Sequence, residues 1–292
     1  MDAPPKGNIS DSMGRPGQVI LVTGCSTGIG RSTALEAALR GHKVFASARR
    51  REDLADLVAK GMEALALDVT DPDSIGEAVR HVLRSAGRID ALVNNAGYGQ
   101  YGAVEDVSLE EWREQFEVNL FGTIAVLRAV LPAMRAAKRG TVVNVSSVAG
   151  RVSIPFAGPY SASKHALEAM SDALRVEVAP WGIRVVLVEP GPIATRFGDR
   201  TREATARILA VPGPYSAFYG GAERASNRQF QMGKRGPEAV ARVILDAIEA
   251  KRPKARYRIT PLARVLVPLK ALASDRFLDR RMKKMLGLPD RV

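Results

Sequence analysis

The feature that most constrains this chain is a repeated alternation of short apolar runs with stretches of helical periodicity. The runs are Val19–Val22, Lys43–Ala48, Glu63–Asp68, Ala91–Asn94, Thr141–Ser146, Ile183–Val188 and Arg256–Thr260. Runs of strand length that stay apolar at consecutive positions suit strands buried on both faces, and strand–helix repetition makes those strands parallel. The predicted fold is therefore α/β, a single doubly wound parallel sheet of about seven strands with helices on both faces. Helices carry their own punctuation: Arg31–Arg40 is closed by Gly41, and Ser108 with Glu111 forms a capping box opening the segment through Asn119. Ligands of such sheets bind beyond the carboxyl ends of the strands, so chemistry is expected in the loops that follow them.

At 292 residues, 46% of them hydrophobic, the chain can fill one full-sized core. We expect residues 1–16, rich in Pro, Gly and Ser, to be a loose arm without the charged start and apolar stretch of a leader. Residues 17–260 are expected to form the catalytic body, with a substrate segment over 192–236, and residues 261–292 an extension. A single cysteine excludes an internal disulfide framework, and three scattered histidines outside any ligand spacing suggest no metal site. With one cysteine a reducing compartment is expected, and no apolar run approaches a membrane span, so the expected setting is cytoplasmic. The net charge of +12 is unevenly placed: from Ala250 to Val292 thirteen Lys/Arg face three Asp/Glu, leaving about +2 for everything before. The body is nearly neutral, and the tail needs its own explanation.

Immediately after the first run comes Thr23-Gly-Cys-Ser-Thr-Gly-Ile-Gly30, leading straight into a helix. Gly24 suits a tight turn, Gly28 lets backbone approach a pyrophosphate, and Gly30 permits close packing of helix on sheet. The helix start at Ser26, Thr27, Gly28 and Ile29 offers N–H donors and a positive dipole. After the second run, where an acid would bind the ribose hydroxyls of NAD, the chain reads Ala48, Arg49, Arg50, Arg51. An acid there would repel a 2′-phosphate and Arg49 would attract one, so NADP(H) is the expected cofactor.

Tyr160 and Lys164 stand four residues apart, one above the other if helical. A phenol titrating near 10 is a poor acid–base group at neutrality, and a neighbouring cation would favour its phenolate. Ser147 lies just past the fifth run and upstream of this pair.

Taken in order and spacing, Thr23–Gly30, Asn94–Gly97, Asn119, Ser147, Tyr160, Lys164 and the pair Pro190, Gly191 resemble the short-chain dehydrogenase/reductase family from about Gln18 to Thr260. That resemblance implies a Rossmann-type fold and an NADP(H)-dependent oxidoreductase acting on alcohol and carbonyl groups. It implies that Tyr160 exchanges the proton with the substrate oxygen, that Ser147 hydrogen-bonds that oxygen, that Lys164 lowers the Tyr160 pKa and holds the nicotinamide ribose, and that Asn119 anchors a water in the proton relay. Asp68 and Val69 would hold the adenine, and Asn95, Ala96 and Gly97 would line the cofactor. Pro190, Gly191, Ile193 and Thr195 would lie against the nicotinamide, with Thr195 on its carboxamide. A dimer or tetramer formed through the helices containing Asn119 and Tyr160 is also implied.

Other classes fit less well. Ser147 is not in a nucleophile elbow, and His165 would point away from the Tyr160–Lys164 face, against a serine hydrolase. A non-catalytic NADP-binding regulator would keep the fold and lose the four residues that are intact here. Cys25 reads as a small packed residue. Tyr215, Phe218, Tyr219 and Phe230 crowd the segment after Gly191, joined by Tyr98, Tyr101 and Phe156 near the tetrad, which favours an apolar substrate such as a steroid-, retinoid- or acyl-ketone-like carbonyl. Beyond Thr260, apolar residues recur at helical spacing among Lys and Arg. Such a helix would lie on an anionic membrane surface, cap the substrate cleft or pack on a partner subunit. Nucleic-acid binding is not expected, because no recognition module accompanies the charge.

Overall fold

The computed structural model describes residues 17–193, 197–221, 224 and 236–289. The expected arm at 1–16, Thr195 and Phe230 lie outside the described residues. Seven strands form one sheet in the order β3-β2-β1-β4-β5-β6-β7, and every neighbouring pair is parallel. They are β1 Val19–Val22, β2 Lys43–Ala48, β3 Glu63–Ala66, β4 Ala91–Asn94, β5 Gly140–Val145, β6 Ile183–Glu189 and β7 Arg256–Arg258. The order reverses between β1 and β4, which opens a crevice at the carboxyl ends of those two strands.

Alternation along each strand divides the core into two. Ile20, Val22, Val44, Ala46, Val93, Val143 and Val188 face α1 (Gly28–Leu39) and α8 (Pro237–Glu249), where Ala34, Ala37, Ile244 and Ile248 meet them. Leu21, Phe45, Leu92, Val142 and Val185 face the other layer, α3 (Pro72–Ala86), α5 (Gly122–Ala136) and α6 (Gly158–Glu177). Each buried Leu, Ile or Phe in these layers contributes about 1.5–3 kcal/mol. The small side chains of α1 let it lie close to the sheet, which brings its first turn to the crevice.

Strand ends differ slightly from expectation, for local reasons. β3 stops at Ala66 because the chain turns at Asp68, whose Oδ1 accepts both the N–H (2.9 Å) and the hydroxyl (2.8 Å) of Thr70. β7 stops at Arg258 because Thr260 caps the next helix, accepting the Ala263 N–H at 3.2 Å. The capping box at Ser108 and Glu111 is present. It opens α4 (Leu109–Phe116), which runs through a single π turn, Glu117–Phe121, into α5. Contrary to expectation, this continuous Leu109–Ala136 helix is long and apolar enough to pass for a membrane span. Its apolarity has another cause: Val126, Leu127, Val130 and Met134 pack into the second core layer.

The tail forms α9 (Pro261–Leu272) and α10 (Asp275–Leu286). Ala263 and Val267 are buried against Val148 and Val152 of the turn after β5. Leu286 is buried too, and its carbonyl lies against Gly221, where a Cβ would come within 2.5 Å of that oxygen. The opposite side exposes Val265, Leu269, Leu272, Phe277 and Met285.

Candidate active site

The loop after β1 is shaped for close approach. Gly24 has a φ of +73°, and a Cβ there would meet Ala96 Cα at 2.8 Å. At Gly30 a Cβ would stand 2.3 Å from the Gly24 carbonyl oxygen and 2.4 Å from Asn95 Nδ2. Neither position tolerates a side chain without moving backbone. Asn95 ties the loop to the end of β4: its Nδ2 donates to the carbonyls of Thr23 and Gly24, both at 3.0 Å. Thr23 answers, its hydroxyl accepting the N–H groups of Asn95 (3.0 Å) and Ala96 (3.1 Å). α1 begins after Thr27 with no side chain capping it, so its first N–H groups face the crevice mouth as donors for an anion. Cys25 is fully buried, and burial pushes its thiol up to about 12, which suits the packing role expected of it.

At the end of β2, Ala48 is buried and Arg49 exposed. Arg50 is held by Asp53 at 2.7 Å and Arg31 pairs with Asp56, whereas no ion pair of Arg49 is formed among the described residues. Asp68 and Val69 follow β3. Val69 is buried against Gly122, where a Cβ would meet Val69 Cγ2 at 2.8 Å. Pro190 presents its carbonyl to the Val148 N–H at 2.8 Å, and a Cβ on Gly191 would stand 2.3 Å from Thr260 Oγ1. Ile193 is buried in the first core layer. A dinucleotide fits this crevice: a cradle free of Cβ atoms, an uncapped helix start and an unengaged arginine lie along one edge.

The four residues singled out beyond the cofactor loop come from different elements and meet. Ser147, just past β5, accepts the Ala149 N–H at 3.1 Å and is hydrogen-bonded with the Tyr160 phenol. Lys164, one turn along α6, places its Nζ 6.0 Å from the Tyr160 ring centre and donates to the Val145 carbonyl at 2.8 Å. Asn119 lies in the π turn, a local widening that is frequent at functional sites. Its Nδ2 donates to the Tyr98 carbonyl (3.0 Å) and Ser163 Oγ (3.2 Å), while its Oδ1 accepts the Tyr98 N–H at 3.1 Å. Gly97 makes this possible, since a Cβ there would lie 2.8 Å from Asn119 Oδ1. Ser163 then donates to the Tyr160 carbonyl at 2.8 Å, linking the π turn to α6.

Burial pushes the Tyr160 phenol up, opposed by the Ser147 hydrogen bond. Burial pulls Lys164 down to about 8, opposed by the charge of Glu168. Burial is the largest cause at both groups.

A cluster of aromatic rings lies beside the site. Tyr101 meets Tyr160 edge-on with ring centres 6.1 Å apart. Phe156, held at a φ of +63°, lies edge-on to Tyr215 (6.3 Å) and Tyr219 (5.4 Å). The Tyr219 hydroxyl accepts the Ala103 N–H at 3.0 Å and hydrogen-bonds Asp106, so the segment after α7 (Phe197–Ala210) is fastened to the loop after β4. Phe218 is half-buried beside this cluster in sequence but is not among its packed rings. His165 is exposed, its ring on the Ser161 carbonyl at 2.9 Å and away from Ser147, as expected.

Several positioning groups escaped the sequence reading. Thr23 was visible inside the glycine motif but had no assigned task. Gln115 holds the loop at Tyr98 and Gln100 with bonds of 3.0 and 2.6 Å, and no local signal announces it. Glu168 did leave a signal, because Tyr160, Lys164, Glu168 and Asp172 recur every fourth residue.

A parallel sheet whose crevice holds a glycine cradle beside a Tyr–Lys pair defines a nicotinamide-type oxidoreductase architecture. The short chain dehydrogenase family model matches residues 18–206. The chain belongs to the short-chain dehydrogenase/reductase family and is an oxidoreductase of that family. It is 36% identical over 263 residues to the uncharacterized oxidoreductase YbbO of Escherichia coli K12, covering 89% of this chain and 92% of that protein. It is 35% identical over 275 residues to an NADPH-dependent 3-dehydrocapnine reductase of Ornithobacterium rhinotracheale, covering 91% and 96%. Among solved structures, a short-chain dehydrogenase of Streptomyces avermitilis superposes with a TM-score of 0.77 at 36% identity, covering 94% of this chain and all of that one.

Proposed function

We propose that this protein is an NADP(H)-dependent reductase that interconverts a carbonyl and an alcohol on an apolar molecule, of steroid-, retinoid- or acyl-ketone-like character. The observation that carries the reading is the meeting of Ser147, Tyr160, Lys164 and Asn119 at the open end of the glycine cradle, beside the aromatic cluster. When bound, the dinucleotide supplies or accepts the hydride. Tyr160 exchanges the proton with the substrate oxygen, and Ser147, already on that phenol, hydrogen-bonds the same oxygen. Lys164 stabilises the phenolate when it forms and holds the ribose, and Asn119, fixed on both edges of its amide, anchors the relay water. Gly24, Ser26, Thr27, Gly28, Ile29 and Gly30 receive the pyrophosphate, Asp68 and Val69 the adenine, and Asn95, Ala96 and Gly97 line the crevice. Pro190, Gly191, Ile193 and Thr195 lie along the nicotinamide. The rings of Phe156, Tyr215 and Tyr219 exclude water from the substrate.

Arg49 binds the 2′-phosphate, a reading supported by its unengaged guanidinium and by the name of the Ornithobacterium relative, which specifies NADPH. NADPH should bind at least about tenfold more tightly than NADH, the scale of one charge-assisted contact. Fluorescence titration of both cofactors checks this. Ala48→Asp with Arg49→Ala should reverse the preference, and equal affinities in the native protein would sink the assignment.

The exposed side chains of Leu109, Phe121 and Val176 support association into a homodimer or homotetramer through the helices that carry Asn119 and Tyr160. The working compartment is the cytoplasm, with the tail at a membrane surface. Val265, Leu269, Leu272 and Phe277 stand exposed among Arg264, Lys270, Arg276, Arg280 and Arg281, an arrangement that suits an anionic bilayer. Co-sedimentation with anionic vesicles should be strong at low salt and weak at high salt, and lost on truncation at Pro261. Intact protein left in the supernatant at low salt would assign the tail to the substrate cleft or a subunit interface.

A further inference from the structure

We propose that Glu168 is a positioning residue of this active site: buried one turn beyond Lys164 and pinned by Arg256 of β7, its carboxylate holds Lys164 in the charged form. Tyr160, Lys164, Glu168 and Asp172 occupy successive turns of α6, where side chains four apart are neighbours. Glu168 is 3% exposed and accepts from Arg256 Nε at 3.0 Å. The same guanidinium donates to Asp172 at 2.5 Å and lies 3.3 Å from Glu189, which is fully buried and accepts from Arg258 at 3.1 Å. Arg175 closes the far end on Asp172 at 2.6 Å.

The charged and titratable groups around Glu168 are therefore Glu189 from β6, Arg256 and Arg258 from β7, and Lys164, Asp172 and Arg175 from its own helix. The Ser146 hydroxyl at the end of β5 lies beside the carboxylate without completing a well-formed bond, since Ser146 Oγ and Glu168 Oε1 both remain buried and unpartnered. Gly150 packs over this junction, where a Cβ would meet Ser146 Oγ at 2.8 Å and Glu168 Cγ at 3.1 Å.

A lone buried carboxyl would take up a proton. Burial does push Glu168 up, against the Ser146 hydroxyl, while the Glu189 charge adds to the rise and Arg256 opposes it. The guanidinium, charged at any working pH, keeps the carboxylate available to its other neighbour. That neighbour is Lys164, which burial pulls down to about 8 and Glu168 holds up. The Glu168 charge raises Lys164 across one helical turn, so removing that charge must lower it. The inference rests on the proposed function only in placing Lys164 among the reacting groups.

The test needs no substrate. In the full chain labelled with 13C-lysine, the Lys164 Cε resonance, assigned by its loss in Lys164→Met, is titrated by NMR. In Glu168→Gln the Lys164 midpoint should fall by about one pH unit, the low end for loss of an adjacent opposite charge, and Glu168→Asp should restore part of it. A folded Glu168→Gln protein with an unchanged midpoint overturns the proposal. Should Glu168→Gln fail to fold, the wild-type titration decides: the Lys164 resonance should show a second, smaller inflection as Glu168 takes up its proton, and a single inflection overturns the proposal equally.

Discussion

The cofactor end and the substrate end of this molecule are built from different materials. Around Gly24, Gly30, Thr23 and Asn95, contacts are between backbone groups or between a short polar side chain and backbone, at 3.0–3.1 Å. Around Phe156, Tyr215 and Tyr219 they are between rings, with the Tyr219 hydroxyl fastening one segment to another. Backbone geometry admits few residue types, so the first end is narrow in what it can bind. Ring contacts can be re-made with other apolar side chains, so the second end can change ligand without losing the fold. On the proposed function, the difference puts cofactor binding at one end and substrate choice at the other.

The largest expected effect lies where the two ends meet. Tyr160→Phe should lower turnover by about a thousandfold or more, the loss of a positioned acid–base group, while NADPH affinity stays within about twofold. Stopped assays of turnover beside fluorescence titration of NADPH read both. An active Tyr160→Phe protein refutes the mechanism; a variant that loses cofactor binding instead would mean that the phenol belongs to the cofactor end.

That division also governed what could be read from the sequence. The parallel strands, their number and the two-faced core follow from the alternation of apolar runs with helical stretches, whereas the strand order does not, and the glycine loop was legible because at Gly24 and Gly30 no Cβ fits. Ends of β3 and β7 were misplaced because side chains of Asp68 and Thr260 turn the chain, a competition that periodicity does not register. The burial that pushes the Tyr160 phenol up and Lys164 down was not legible, because a sequence shows the two side by side but not how deeply the fold encloses them. Gln115 was silent, since a buried glutamine on a helix looks like any surface one until its partners at Tyr98 and Gln100 are known.

A smaller effect should appear entirely within the cofactor end. Gly30→Ala forces a methyl to within 2.3 Å of the Gly24 oxygen, so the loop must shift, at a cost of about 1–3 kcal/mol in stability. Thermal melts should show that loss together with weaker NADPH binding, whereas KM for substrate at saturating cofactor should hardly move. A rise in KM alone would erase the distinction between the two ends.

The mildest change is at the substrate end. Tyr219→Phe keeps the ring against Phe156 and removes the hydroxyl shared by Ala103 and Asp106, worth about 1 kcal/mol. KM for an apolar carbonyl should rise a few-fold with NADPH affinity unchanged, as steady-state kinetics would show. Unchanged kinetics would mean that the clasp does not shape the cleft.

The most direct measurement is of the reaction itself: the native protein with NADPH and a panel of one steroid ketone, one retinoid aldehyde and one long-chain acyl ketone, followed by the loss of NADPH absorbance. Turnover of at least one of the three, faster with NADPH than with NADH, is the result expected. A protein that binds NADPH tightly and reduces none of them would contradict the apolar-carbonyl reading of the substrate site.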